Sequence, residues 1–224
     1  ASNAVVTFDD VANATMTAKQ LSDIGGAVAS ASVTNKVLVD GDHDELTAAF
    51  VTTGTKVTAS KAVVTFDDVT NATMTAKQIS DIVGAVTSAT ITNKVAISGD
   101  VSDMTAALVT AGTSATIGTT GTTATVSDLA TLSEANAIAK INNVTASFTL
   151  GLSDSSTALT KNATTISDDM AAVTTDQSDI KITVNDAKDA TVSATRLAAI
   201  GGTTTGDVTV SSAVKVTDNH DNLT

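Results

Sequence analysis

Carboxylate side chains are concentrated in one short segment of this chain, DGDHDEL. Asp40, Asp42 and Asp44 alternate along it, and Glu45 adds a fourth carboxylate. Clustered hard oxygens of this kind are the ligands that Ca²⁺ prefers in proteins. The segment lacks the twelve-residue loop and the distal bidentate glutamate of an EF-hand. The four residues are therefore candidate calcium ligands on their spacing alone, and Ca²⁺ is the one cofactor that the sequence suggests.

Two later segments repeat part of this pattern. SGDVSDM keeps only Asp100 and Asp103. TDNHDNL keeps Asp218 and Asp221, and these two residues are further calcium candidates. The alternative interpretation, which the sequence favours, is that these residues cap helices and solvate turns.

Histidine occurs twice, at matching places of the repeated pattern. His43 and His220 hold these places in the first and fourth copies, but the second copy has Val101 there. A site that needs both histidines would have to join distant copies, so we predict surface turn histidines.

The sequence contains no arrangement typical of a catalytic centre. The paired acids Asp9-Asp10 and Asp67-Asp68 follow strand patterns, where adjacent residues point to opposite faces and cannot aim at one bond. No strand pattern is followed by G-x-S-x-G, by a P-loop or by G-x-G-x-x-G. We therefore predict that the chain is not an enzyme.

Composition narrows the possible partners. The 224 residues include 43 Thr and 22 Asp, no Cys and no Pro, and the formal net charge is −12. With 11 Lys and one Arg, the chain lacks the clustered basic side chains that bind phosphate, so nucleic acid is an unsuitable partner. No apolar run approaches the ~18 residues of a membrane helix, so we expect no membrane insertion of this segment.

Internal repetition organises the chain. Residues 4–61 align without a gap on residues 62–119, with 38 of 58 paired positions identical. A degenerate copy occupies 120–178 and an incomplete copy occupies 179–224. We predict one continuous repeat array over residues 1–224.

Each repeat contains two strand patterns that end in aspartate. Successive aspartates are 26 to 33 residues apart, which is too far for hairpins and favours parallel pairing by crossover connections. The eight aspartates are Asp9, Asp40, Asp67, Asp100, Asp128, Asp154, Asp186 and Asp218.

The connections carry helix patterns. In TMTAKQLSDI, Thr17 and Gln20 have the spacing of a capping box, and the second repeat preserves it. Asp44 and Asp103 are the predicted caps of a second helix in each repeat.

These patterns predict a β-rich repeat protein, a right-handed parallel β-solenoid of about eight modules, each a strand and a short helix. The absence of Pro agrees, since inner strands must donate all their N–H groups. The alternative is a string of four small α+β repeat domains.

The chain begins in register with the repeat and ends partway through a module. We expect a fragment of a longer protein, with neighbouring repeats as partners or with open solenoid ends that self-associate.

The segments VTFDD, TAKQLSDI, VLVDGD and LTAAF resemble the Ala/Thr/Asp-rich tandem repeats of very large cell-surface or secreted proteins of cyanobacteria and proteobacteria. The resemblance implies an extracellular or cell-surface location and a structural or adhesive role. The G-G-x-G-x-D repeat of neighbouring calcium-binding regions is absent, so it supplies no calcium ligands here.

The function expected from the sequence is a non-enzymatic stalk, layer or spacer segment. The first alternative is a calcium-dependent adhesin or glycan-binding module. A remote alternative, an ice-binding solenoid, rests on Thr-x-Thr pairs such as Thr15 and Thr17.

Overall fold

The computed structural model describes residues 3–219 and residue 221. The chain forms two compact units, one reaching Thr123 and including Asn142–Val144, the other formed by Ala124–Ile141 and the residues from Thr145 onward. The described residues have an α/β fold with sixteen strands, eight helices and no closed barrel. The strands are β1 (Val5–Phe8), β2 (Thr15–Thr17), β3 (Ser30–Val33), β4 (Leu38–Gly41), β5 (Val63–Phe66), β6 (Ala72–Thr75), β7 (Ser88–Ile91), β8 (Val95–Gly99), β9 (Thr116–Ile117), β10 (Thr122–Val126), β11 (Val144–Phe148), β12 (Leu152–Asp154), β13 (Ile182–Val184), β14 (Thr191–Ser193), β15 (Val208–Val210) and β16 (Lys215–Thr217).

The helices are short, and most begin at a Thr, Ser or Asp that caps them. The predicted capping box is confirmed: Thr17 accepts a hydrogen bond from the Gln20 N–H, and the Gln20 side chain accepts one from the Thr17 N–H. The second repeat has the same box at its first helix. The helices are α1 (Ala18–Ala27), α2 (His43–Phe50), α3 (Ala76–Ala85), α4 (Val101–Leu108), α5 (Leu132–Ala139), α6 (Ser156–Leu159), α7 (Asp168–Asp176) and α8 (Ala194–Gly201).

Parallel pairing joins the strands of the first unit, as the long connections predict. Strands β2, β4, β5, β7 and β9 form one sheet in that order, β1 pairs with β3, and β6 pairs with β8. Val5 pairs with Ser30, and Leu38 pairs with Val63, so partner residues are about 25 positions apart. Each stretch from a strand to its parallel partner is termed a coil.

The same pairing rule holds in the second unit. Strands β12, β13 and β15 form one parallel sheet, β14 pairs with β16, and β10 neighbours β11. Here the coils vary more in length: Leu152 pairs with Ile182, whereas Thr191 pairs with Lys215.

The first two repeats belong to one compact unit. Strand β4 of the first repeat pairs along its whole length with β5 of the second. Helix α2 packs on both α1 and α3, and α3 packs on α4. The two 58-residue repeats therefore bury apolar surface against each other.

The apolar core follows the alternation of the strands. In β5, Val64 and Phe66 are fully buried, while Val63 and Thr65 are half-buried. The helices add Ile79 and other apolar side chains to the same core. Phe, Val, Ile, Leu and Ala fill it without Trp or Tyr, as the composition requires.

Candidate functional site: carboxylates at the strand ends

The acidic segment of the first repeat meets the first acidic pair of the second repeat. Because β4 and β5 are parallel, Asp40 lies beside Thr65, and the Asp67 N–H donates to the Gly41 carbonyl oxygen at 3.1 Å. Asp42 follows at the same edge of the sheet, so carboxylates from two repeats gather where β4 and β5 end.

Asp42 caps helix α2. Its carboxylate accepts a hydrogen bond from the Glu45 N–H at 2.8 Å, and in the second repeat Asp100 accepts one from the Asp103 N–H at 2.7 Å. The prediction that Asp44 and Asp103 are the caps was therefore wrong, because each helix begins earlier. The D-x-x-E spacing of residues 42–45 indicates the correct cap, Asp42.

The predicted calcium ligands of the first repeat differ in their exposure and contacts. Asp44, within the first turn of α2, has a side chain that is 79 % exposed, while Asp42 is engaged with the helix N-terminus. Asp40 and Glu45 are half-buried. Over residues 3–219 and 221, no three His, Asp or Glu side chains form a group that could hold a metal ion.

Asp68 connects the second repeat to helix α2 of the first. Its carboxylate is 3 % exposed and accepts hydrogen bonds from the His43 main-chain N–H at 3.1 and 3.3 Å. The His43 ring is also bonded to it, with 2.5 Å between Nδ1 and Oδ1. A carboxylate at a helix N-terminus accepts a hydrogen bond from an otherwise unpaired N–H and is attracted to the positive end of the helix dipole.

The prediction that His43 is a surface turn histidine was wrong. It is the first residue of α2, and its side chain is 18 % exposed, with Nε2 3.4 Å from an oxygen of Asp44. The other histidine, His220, lies outside the described residues.

Asp67 shows the electrostatic cost of this acidic edge. Burial raises the pKa of its carboxyl, and the negative charges of Asp42, Asp40 and Asp68 raise it further. The backbone hydrogen bond acts in the opposite direction, lowering this pKa. Protonation of Asp67 therefore relieves repulsion among carboxylates from two repeats.

The link between a strand-end carboxylate and the helix of the preceding coil recurs in the second unit. Asp154 accepts from the Leu132 N–H of α5 at 3.2 Å, and Asp186 accepts from the Ser156 N–H of α6 at 3.0 Å. Asp218 accepts from the main-chain N–H of Thr195 in α8 at 3.0 Å and from its hydroxyl at 2.6 Å.

Asp218 and Asp221 were the other calcium candidates. Asp218 lies at the N-terminal turn of α8 through the Thr195 bonds, and Asp221 is exposed. The position of Asp218 agrees with the alternative sequence interpretation, in which these aspartates cap helices, and it extends that interpretation because the capped helix belongs to another coil.

Other polar side chains also connect neighbouring coils of the first unit. The Thr92 hydroxyl donates to the Phe66 carbonyl oxygen at 2.9 Å, and the Thr87 hydroxyl to that of Ser60 at 2.9 Å. The Asn93 amide donates to the Asp68 carbonyl oxygen at 2.8 Å, 25 positions earlier. Part of the threonine excess thus bonds the backbone across coils.

Comparison with protein-family models, with curated proteins and with solved structures finds no match to this chain. Among the helices of the described residues, none has the length and apolar character needed to cross a bilayer.

Proposed function

We propose that this chain is a non-enzymatic structural segment, a stalk, layer or spacer, of a bacterial surface or secreted repeat protein. Its architecture under this proposal is a right-handed parallel β-solenoid in which coils of about 25 residues stack. The location outside the cell rests on the resemblance of VTFDD, TAKQLSDI, VLVDGD and LTAAF to repeats of large bacterial surface proteins.

One observation carries the proposal: three of the strand-end aspartates are bonded to helices of other coils. Asp68, Asp154 and Asp186 each accept a hydrogen bond from the first N–H of a helix in another coil. Residues that could have formed a binding or catalytic site instead connect successive modules. A repeat protein gains stability from such contacts between neighbouring units.

The regular spacing of strand partners in the first unit supports stacking. Asn35 donates to the Asp10 carbonyl oxygen and Asn93 to that of Asp68, each across 25 positions. The same bond at the same spacing in two repeats is expected if each coil rests on the preceding one.

Pulling the chain by its two ends in an optical trap tests this proposal. A stack of coils should unfold in steps that release whole coils, about 80–90 Å of extended chain for about 25 residues. Steps unrelated to this length would contradict the stacked architecture. A binding screen against glycans, expected to show no ligand, tests the non-adhesive role.

A second candidate function, a calcium-dependent adhesive module, has one observation in its favour. The pKa of Asp67 is raised by burial and by the charges of Asp42, Asp40 and Asp68, and a cation at this edge would relieve the repulsion. Glycan or cell binding that appears only with Ca²⁺ would support this candidate over the structural one.

A further inference from the structure

Four segments of the described chain have the sequence N-x-T, the acceptor pattern for attachment of a sugar to an asparagine side chain. Their asparagines are Asn13, Asn71, Asn143 and Asn162. A fifth such segment, residues 222–224, lies outside the described residues. The pattern arises by chance in a chain with 43 Thr, so the surroundings of each asparagine decide which of them an enzyme can reach.

Three of the four segments begin in a turn and continue into a sheet. Their asparagines have a left-handed backbone, with φ between 66° and 69°, and Asp189 has the same conformation before β14. Asn and Asp tolerate this conformation, which accounts for these three asparagines without a sugar. The threonine of each segment lies in a strand: Thr15 in β2, Thr73 in β6 and Thr145 in β11.

Hydrogen bonds and strand pairing hold these three segments in place. Thr73 of β6 lies opposite Ala96 of β8. The side-chain amide of Asn143 donates to the Ile117 carbonyl oxygen at 2.9 Å. An enzyme that acts on such a segment must first wait for the sheet to open locally.

The fourth segment lies at the tip of a loop between α6 and α7. Thr160 and Ile166 form an antiparallel bridge that closes the loop. All five residues 161–165 above this bridge are exposed, and none belongs to a described strand or helix. Enzymes that act on folded chains gain access most readily at exposed loop tips. Asn162 is therefore the asparagine of the four that needs no opening of a sheet.

The loop is additional chain within its coil. Leu152 of β12 pairs with Ile182 of β13 across 30 positions, whereas partners in β1–β3, β2–β4, β4–β5 and β13–β15 are 23 to 26 positions apart. The coil from β12 to β13 has two helices, α6 and α7, and each of the other four has one. Strand pairing elsewhere forms without such a loop, so the fold does not account for the exposed tip.

Thr164 positions the side chain of Asn162. The Asn162 Oδ1 atom accepts hydrogen bonds from the Thr164 N–H at 2.9 Å and from the Thr164 hydroxyl at 3.0 Å. A main-chain N–H only donates, which fixes this atom as the amide oxygen. Within the described residues, Nδ2 of Asn162 has no hydrogen-bond partner. The acceptor nitrogen is thus free, in contrast with that of Asn143.

We propose that Asn162 is a glycosylation site whose donor is a sugar bound through its anomeric carbon to a diphosphate. Nδ2 attacks the anomeric carbon, so the N–C bond forms and the C–O bond to the diphosphate breaks. The diphosphate leaves with the electron pair, and Nδ2 loses one proton to a base of the transferase. A lipid or a nucleotide carries the diphosphate, and both carriers present the same reacting atoms. The inference goes beyond the proposed structural function and does not depend on it.

Glycosylation of the purified, folded chain in vitro tests this site. One arm uses UDP-glucose with a soluble transferase that recognises N-x-T, and the other uses a lipid diphosphate oligosaccharide with a membrane-bound transferase of the same specificity. Peptide mapping by mass spectrometry measures the occupancy of each asparagine. In at least one arm we expect Asn162 to be modified at least ~tenfold faster than Asn71 and Asn143, because an opening free energy of about 1.4 kcal/mol gives that ratio. The arm that modifies Asn162 identifies the carrier.

Substitutions in the loop show whether the sugar is attached at this segment. Asn162→Gln should carry no sugar in the loop, and Thr164→Val should lose it as well because the hydroxyl is removed. Thr164→Ser keeps the hydroxyl and should be modified like the unsubstituted chain. Asn71→Gln is the matched control and should not alter the mass gained. Circular dichroism melts, expected to be unchanged because these side chains are exposed, establish that every variant is folded.

Two results would overturn the assignment of Asn162. One is an Asn162 without sugar in both arms, and the other is an equal rate of modification at Asn71 and Asn162. Neither result bears on the stacking of coils, which the unfolding steps in the optical trap measure. A chain that is modified at Asn162 but unfolds without those steps would keep the site and contradict the proposed structural function.

Discussion

The first and second repeats have nearly the same sequence but different surroundings. Val64 and Phe66 of the second repeat are fully buried, whereas the identical residues of the first repeat, Val6 and Phe8, are half-buried. The difference arises because β4 covers β5, while no described strand covers the same edge of β1. Burial in this molecule is thus set by the neighbouring coil as much as by the residue itself.

The two repeats also differ at the N-terminus of their second helix. His43 bonds the buried carboxylate of Asp68 from the next coil, and the second repeat has Val101 in place of His43. The second helix of a repeat begins at this position with either residue. The bond of the His43 ring to Asp68 is therefore an additional contact that the helix start does not require.

The largest expected effect compares one side chain in two surroundings. Phe66→Ala should lower the free energy of unfolding by about 3–5 kcal/mol, because it leaves a cavity in a closed core. Phe8→Ala should cost about 1–2 kcal/mol, since part of that ring already contacts water. Equilibrium urea unfolding measures both, and equal losses would contradict the difference in burial.

Asp68 and Asp10 offer the next comparison, because they are matched residues of the two repeats. Asp68→Ala leaves the half-buried His43 N–H without its carboxylate and should cost about 2–3 kcal/mol. Asp10 is exposed, and Asp10→Ala should change stability by less than about 0.5 kcal/mol. Urea unfolding again provides the measurement. A loss at Asp10 as large as that at Asp68 would show that coil linkage is not the cause.

His43→Val converts the helix start of the first repeat into that of the second. The Asp68 bond to the main-chain N–H remains, and only the ring bond is lost, so we expect a cost of about 1 kcal/mol. Asp44→Ala, which alters an exposed side chain beside the same ring, is the control and should be nearly neutral. Thermal unfolding of both variants decides whether the ring bond contributes.

The smallest expected effect depends on pH. Because the pKa of Asp67 is raised on folding, the folded chain binds this proton more tightly than the unfolded chain does. The stability from Asp67 is present below its ordinary pKa of 3.8 and is lost as pH rises through the higher folded value. Asp67→Asn should therefore be more stable than the unmodified chain at pH 7, by about a few tenths of a kcal/mol because the site is exposed and screened.

The matched control for this effect is Asp9→Asn. Asp9 has the place in the first repeat that Asp67 has in the second. Within the described residues, no strand corresponding to β4 brings carboxylates beside Asp9. We expect the free energy of unfolding of the Asp9→Asn variant to follow that of the unmodified chain from pH 4 to pH 7. If Asp67→Asn also follows that curve, burial and the neighbouring carboxylates do not raise the pKa of Asp67.

Local patterns predicted much of the fold. A strand occurs at each of the eight aspartate patterns, and the capping box of Thr17 and Gln20 forms as expected. These features depend on residues a few positions apart. Parallel pairing also followed from connection length, since long connections exclude hairpins. The other eight of the sixteen described strands escaped prediction. Three of them, β2, β6 and β14, lie directly before a helix, where three or four residues give little alternation.

The contacts of the acidic residues could not be predicted in the same way. Asp68 meets His43 across 25 positions, and that contact depends on the register of β4 and β5, which no single segment contains. A shift of one residue in the pairing register of β4 and β5 would turn Asp67, instead of Asp68, toward helix α2. The choice of Asp44 over Asp42 as a cap was a local error, because the spacing to Glu45 was visible in the sequence.

The central claim is that the strand-end carboxylates bond to neighbouring coils and need no cation. Thermal unfolding with millimolar CaCl₂, against NaCl of equal ionic strength, tests it most directly, because an ion that binds only the folded chain raises the melting temperature. We predict the same melting temperature in both salts. An increase of many degrees with Ca²⁺ alone would contradict the claim and favour the calcium-dependent module.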